Sequence, residues 1–174
     1  SMKIMKILIV SDTHGRTENL EKVLKKTGPI DRMIHLGDVE GDEAHIRSLV
    51  DVPVDMVAGN NDYFSSLPSE MEIELGNHRA LLTHGHHYFV GMGHEMLREE
   101  ARKRGVDIVM YGHTHRPYLE RNGGLTILNP GSLSLPRQEG HEPSWIVMYI
   151  DEQGEADYNI CYLGGLRKRR SIFG

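Results

Sequence analysis

Residues 5–15, Met5-Lys6-Ile7-Leu8-Ile9-Val10-Ser11-Asp12-Thr13-His14-Gly15, decide the fold. The first six form a short apolar, β-branched-rich run, the pattern of a buried strand. A carboxylate, a hydroxyl, an imidazole and a glycine follow at once. Leu20, Val23 and Leu24 then fall at i, i+3, i+4 within residues 17–26, one face of a helix, and Gly28-Pro29 ends it. Residues 32–36 read as a second strand, residues 44–50 as a short helix with Ile46, Leu49 and Val50 on one side, and residues 54–58 as a third strand. The order β-α-β-α-β predicts parallel strands joined by crossover helices.

Farther along, the pattern changes. Residues 71–75 and 79–83 flank Gly76-Asn77 as a hairpin. Residues 93–104 read as a helix with Met96, Leu97 and Ala101 inward, and residues 108–111 as a strand. Residues 118–121 pair with 125–128 across Asn122-Gly123-Gly124, and 145–150 with 157–163 across Gln153-Gly154. The last third is therefore expected to be mostly antiparallel. No linker, repeat or low-complexity stretch divides the chain, so residues 1–174 are expected to form one domain. Ser1 ahead of Met2 is expected to be a cloning remnant. The basic run Arg167–Arg170, in the tail 167–174, is expected to be a solvated terminus.

Composition narrows the class. Twenty Lys+Arg against twenty-five Asp+Glu leave a net charge of −5, which argues against a nucleic-acid coat; nucleic acid is expected only as a small nucleotide substrate. The longest apolar run, Trp145–Ile150, is six residues, far short of the ~18 that span a bilayer. With no signal-peptide pattern at the start, a soluble cytoplasmic protein is expected. A single cysteine, Cys161, excludes an internal disulfide and a Cys-rich zinc site. Eleven histidines stand out.

The strongest apolar strands share one kind of ending. Ser11-Asp12-Thr13-His14-Gly15, Gly37-Asp38, Gly59-Asn60-Asn61-Asp62, Thr83-His84-Gly85-His86 and Gly112-His113-Thr114-His115 each set metal-binding groups beside a glycine. Glycine lets backbone approach closely, and sites in α/β sheets gather at the carboxyl ends of strands. Imidazoles mixed with hard oxygen donors suit Mn²⁺, Fe²⁺, Zn²⁺ or Ni²⁺ rather than Ca²⁺ or a thiolate cluster. Seven such ligands exceed one tetrahedral ion and suit two ions sharing a carboxylate, a pair that can activate water and clamp a phosphoryl displacement.

Asp-x-His, Gly-Asp, Gly-Asn-x-Asp, His-Gly-His and Gly-His-Thr-His, in this order from Met5 to about Tyr162, resemble the calcineurin-like metallophosphoesterase superfamily, and within it the small YfcE-type phosphodiesterase group. The resemblance implies an αββα sandwich of two mixed sheets flanked by helices. It implies one metal held by Asp12, His14, Asp38 and His115, and a second by Asp38, Asn60, His84 and His113, with Asp38 bridging. Manganese is the expected ion, with zinc, iron or nickel as alternatives. The implied activity is hydrolysis of a small phosphate diester through a metal-bridging hydroxide. A phosphomonoesterase with the same site, or a metal-free interaction scaffold of the kind found in a retromer subunit, are the alternatives. His86 is expected to hydrogen-bond the phosphate or the hydroxide. Asn61 stands where many relatives carry a histidine taken as the general acid, and asparagine cannot fill that role.

Weaker features complete the reading. Asn129-Pro130-Gly131-Ser132 resembles a turn of the same group that could offer backbone N–H groups to phosphate, although a plain turn is favoured, and Arg137 is a candidate for a substrate ester oxygen. His35 is expected in the core; His45, His78, His94 and His141 are expected on the surface without a role. His87 lies next to the site on the wrong alternation. Gly91-Met92-Gly93 is no dinucleotide fingerprint, because Met96 occupies the third glycine position. A homodimer is the expected oligomer, if one forms.

Overall fold

The computed structural model describes residues 4–138, 140–164 and 168–169. The opening run becomes β1 (Met5–Val10), followed by α1 (Glu18–Thr27), β2 (Arg32–His35), α2 (Glu43–Ser48) and β3 (Val54–Met56). As predicted, β1, β2 and β3 are parallel. α1 carries Glu18 and Glu21 in its first turn and Lys25 and Lys26 in its last, each favourable to the helix dipole. Leu20 and Val23 are its buried stripe.

The second half adds the hairpin β4 (Glu70–Leu75) and β5 (His78–Thr83), then α3 (Glu95–Arg104), β6 (Ile108–Met110), β7 (Pro117–Asn122), β8 (Leu125–Pro130), β9 (Ser144–Ile150), β10 (Ala156–Tyr162) and β11 (Lys168–Arg169). One sheet has the order β11-β10-β9-β1-β2-β3, the other β4-β5-β6-β8-β7. The expectation of a mostly antiparallel last third holds: β7–β8, β9–β10, β10–β11 and β9–β1 are all antiparallel. β6 is parallel to both β5 and β8, because α3 returns the chain before β6 and β7 returns it before β8.

The strands explain the layers. Successive side chains point to opposite faces, and Ile7 and Ile9 pack between the sheets with Ile34, Leu82, Met110 and Ile146. Leu8 and Val10 face outward onto Leu20, Val23 and Ile46 of α1 and α2. Leu81 and Val109 do the same against Leu97 and Ala101 of α3. Helices on both outer faces make the expected αββα sandwich, and strands buried on two sides read as unbroken apolar runs.

Three local readings change. Met96 is 45% exposed, not inward, because the buried stripe of α3 runs through Leu97 and Ala101, one turn apart, and Met96 stands about 100° round the helix from Leu97. Residues His86–Tyr88 form a 3₁₀ turn, so strand alternation does not govern His87. Lys168 and Arg169 extend the first sheet against β10, while the rest of the basic tail lies outside the described residues. Among the described residues no helix is long and apolar enough to cross a membrane.

Candidate active site

The loops leaving β1, β2, β3, β5 and β6 meet at one edge of the paired sheets. Ligand atoms of Asp12, His14, Asp38 and His115 all lie within 4.8 Å of one another. Asp12 Oδ1 stands 3.2 Å from His115 Nε2 and 3.7 Å from both His14 Nε2 and His84 Nε2. Asp38 Oδ2 is 3.3 Å from His84 Nε2 and 3.7 Å from His14 Nε2, so it touches both implied halves of the site. Asn60 Oδ1 sits 3.1 Å from His113 Nδ1, and the His113 ring lies 5.2 Å from that of His84. The seven side chains selected from the sequence are thus in one cluster.

Their hydrogen bonds fix which atom each presents. His84 Nδ1 donates to the Leu36 carbonyl at 2.7 Å and His115 Nδ1 to the Leu135 carbonyl at 2.8 Å. A carbonyl only accepts, so in the neutral rings Nε2 is a bare lone pair aimed at the cluster. His14 turns its Nδ1 to the Glu40 carboxylate. Asp12 Oδ1 and His84 Nε2 are buried without a hydrogen-bond partner. Acceptors crowded on acceptors are costly unless a cation lies among them. Two ligand atoms bound at right angles to an ion ~2.1 Å away stand about 3 Å apart, which suits the observed 3.1–3.7 Å. The donor set therefore fits divalent transition metals.

Burial alone would raise the Asp12 carboxyl, but the His115 and His14 imidazoles hold it far below its usual range. His14 is raised by its contact with Asp12; for His84 burial opposes, and Asp38 and Asp12 outweigh it. His86 is pushed down to about 4 by burial and by the neighbouring His87, His84 and His113, and so stays neutral near pH 7.

The backbone here is unusual. Asp12, His14, Asp38, His113 and His115 all have positive φ, between 49° and 71°. That left-handed region is unfavourable for side-chain-bearing residues, though Asp and His tolerate it best. The surrounding structure holds it in place. Asp62 accepts backbone N–H bonds from Asp38, Val39, Glu40 and Gly59. His35, buried and lowered to about 4 chiefly by that burial, accepts from Gly37 N–H and pairs with Thr13 Oγ1. Glycine makes room: a Cβ on Gly112 would lie 2.8 Å from Asp12 Oδ2, and one on Gly37 2.6 Å from His84 Nδ1.

The remaining candidates divide. Asn61 donates its backbone N–H to Asp38 Oδ1 at 2.9 Å and its amide to Asp38 Oδ2 at 3.1 Å. The His86 ring is 5.5 Å from His84 and 6.1 Å from His113, with Nδ1 buried and unpartnered. Arg137 reaches the cluster only by its backbone N–H, which donates to the His115 carbonyl; its side chain is exposed. The Asn129–Ser132 turn does not offer its amides outward. Gly131 N–H is bound by Asn129 Oδ1, while Ser132 and Ser134 hydroxyls brace the Asp12 carbonyl. Glu40 and Asp62 organise the site, and sequence reading assigned neither a role. Asp62 had a faint signal in its Gly-Asn-Asn-Asp motif; Glu40 had none.

Comparison with known proteins agrees with this geometry. The model of the calcineurin-like phosphoesterase superfamily domain matches residues 5–153. Probable metallophosphoesterase YsnB of Bacillus subtilis is 34% identical over 134 residues, covering 76% of this chain and 78% of that protein. Phosphodiesterase YfcE of Escherichia coli K12 is 30% identical over 158 residues, covering 77% and 82%. A crystal structure of a Vps29 single mutant from Entamoeba histolytica superposes with a TM-score of 0.82 at 27% identity, covering 98% of this chain and all of that one.

Proposed function

The chain belongs to the calcineurin-like phosphoesterase superfamily and is a metal-dependent phosphoesterase; we propose that within this class it is a dinuclear phosphodiesterase acting on a small phosphate ester. The observation that carries the reading is the pair of buried, unpartnered acceptors, Asp12 Oδ1 and His84 Nε2, 3.7 Å apart, with Asp38 Oδ2 3.3 Å from His84 Nε2. Asp12, His14 and His115 would hold one ion and Asn60, His84 and His113 the other, with Asp38 available to both. Two bound divalent ions, manganese foremost, would acidify a water molecule and neutralise phosphoryl charge.

The chain's own residues do the rest. Asn61 fixes both oxygens of Asp38 and brings no acidic proton to the leaving group. His86 donates one N–H toward the phosphoryl oxygens and orients the ester, its ring set against His84 and His113. Leaving groups stable as anions are therefore favoured, aryl esters over alkyl esters. The likeness to Vps29 favours a second reading, an interaction scaffold, but a scaffold has no use for a complete ligand set.

Metal analysis joined to hydrolysis of bis(p-nitrophenyl) phosphate and p-nitrophenyl phosphate, with Mn²⁺ added, tests the proposal. Two ions per chain and faster diester turnover are expected. One ion would remove the dinuclear site, faster monoester turnover the diester preference, and no turnover would leave the scaffold.

A further inference from the structure

Beside Asn61 the surface opens into a cavity of about 390 Å³, the size of a small-ligand pocket. Glu40, Glu43, Asn61, Asp62, Tyr63 and Phe64 line it. Tyr63 is 78% exposed and Phe64 fully exposed, two aromatic rings standing in water on the loop that also carries Asn60 and Asn61. Three carboxylates and no Lys, Arg or His line this space. Two of the three are engaged: Asp62 by four backbone N–H groups, Glu40 by His14. Glu43 is anchored at one oxygen by the Ser65 hydroxyl, 2.8 Å away, and stays half-buried at the cavity wall.

Such a wall repels a second phosphate or a carboxylate. It attracts a cation, and aromatic faces add to that attraction when the cation is an ammonium. We propose that this cavity is a subsite for one ester arm of the substrate, and that the arm carries an ammonium group, so that the diester as a whole is zwitterionic. The inference rests on the phosphodiesterase reading above and names its substrate class. The phosphate sits at the ligand cluster, and the arm runs over Asn61 toward Glu43, Tyr63 and Phe64. In hydrolysis the water oxygen bonds to phosphorus as the opposite P–O bond breaks. The other arm departs with the electron pair, and the ammonium arm remains on the phosphate.

The test compares metal-loaded protein on p-nitrophenyl phosphocholine and on its uncharged carbon isostere, p-nitrophenyl 3,3-dimethylbutyl phosphate, with p-nitrophenolate released from both. The expected kcat/KM preference for the choline ester is about tenfold, from a cation–aromatic contact with a nearby carboxylate. Glu43→Gln and, separately, Phe64→Ala should bring that ratio close to one; Phe64 is exposed, so its variant keeps the fold. Equal turnover of the two esters by the unmodified protein overturns the subsite while leaving the phosphodiesterase reading intact. Faster turnover of thymidine 5′-(p-nitrophenyl phosphate) than of the choline ester also overturns it, in favour of a nucleobase occupant. If no diester is hydrolysed, the phosphodiesterase reading fails, and tetramethylammonium decides the subsite by itself. Ring-proton NMR shifts of Tyr63 and Phe64 that vanish in Glu43→Gln support it, and their absence overturns it.

Discussion

The two edges of the paired sheets turn the chain by different means. At the edge where β4 meets β5, β7 meets β8 and β9 meets β10, left-handed backbone falls on glycine: Gly76, Gly123, Gly124 and Gly154. Glycine takes that conformation at no steric cost. At the other edge it falls on Asp12, His14, Asp38, Glu40, His113 and His115 as well as on Gly15, Gly37, Gly41 and Gly85, and each of the side-chain-bearing residues carries strain of about 1 kcal/mol or more. The polar groups differ in the same way. At the hairpin edge His78 satisfies both ring nitrogens, with Asp107 at 2.6 Å and the Gly154 carbonyl at 2.6 Å. At the other edge Asp12 Oδ1 and His84 Nε2 are buried and unpartnered. One edge is optimised for stability; the other departs from that optimum where a cation would bind, as functional sites do.

The sharpest way to break the contrast is to remove the group shared by both halves of the site. Asp38→Asn should lose both ions and nearly all turnover, well beyond the ~10–100-fold that loss of an outer hydrogen-bond partner costs. Metal analysis beside diester kinetics reads it, and two retained ions with retained activity would dissolve the distinction between the edges. His86→Ala should keep both ions while kcat/KM falls by ~10²-fold, the scale of one oriented hydrogen bond in a transition state. A lost ion in that variant would make His86 a ligand.

Metal removal addresses the unpartnered acceptors directly. Mn²⁺ at a hundred times its Kd should add about 2.7 kcal/mol for each ion bound, or ~5–10 °C in Tm per ion for a chain of this size. The gain should shrink as pH falls from 8 toward 6, because metal binding needs neutral imidazoles and both His14 and His84 are raised above 6.5. A Tm indifferent to Mn²⁺ at pH 8 would mean that the buried acceptors select no cation.

His78 should show the opposite trend with pH and no dependence on metal. Burial lowers its pKa, but the bonds to Asp107 and Gly154 outweigh that and raise it above 6.5. A raised histidine contributes stability that is complete below its unfolded pKa and disappears as pH rises through the folded one. His78→Gln should therefore cost about 1 kcal/mol at pH 6, reduced by its partial exposure, and less at pH 8. Thermal melts at the two pH values measure this; a larger loss at pH 8 would contradict a charged clamp. The smallest effect is expected from Gly124→Ala, where φ is +81° and no heavy atom crowds the added Cβ. Strain less the entropy gained leaves ~0.5–1 kcal/mol of destabilisation, with ion content unchanged.

Most of the frame was legible in residue order. The run Ile7–Val10 is apolar because it is buried on both faces, and its polar ending marks the carboxyl edge of a strand. The seven candidate ligands could be picked out because each sits beside such an ending. Glu40 could not: nothing local marks a carboxylate that meets His14 across 26 residues. Met96 looked inward because it is apolar and adjoins Leu97, but only Leu97 and Ala101 form the buried stripe of α3.

The sequence by itself determined the strand and helix order, the parallel opening unit, the ligand types and their grouping at strand ends. These follow from hydrophobic periodicity and from chemistry carried within a few residues. Only the tertiary structure decided the parallel placement of β6 between β5 and β8, the inward turn of the Asn129–Ser132 amides, and the left-handed backbone at Asp12, His14, Asp38, His113 and His115. Those features depend on hydrogen bonds between loops far apart in the chain, from Asp62 to the Asp38 loop and from Ser132 to Asp12. No local propensity encodes a conformation that is held only by its neighbours in space.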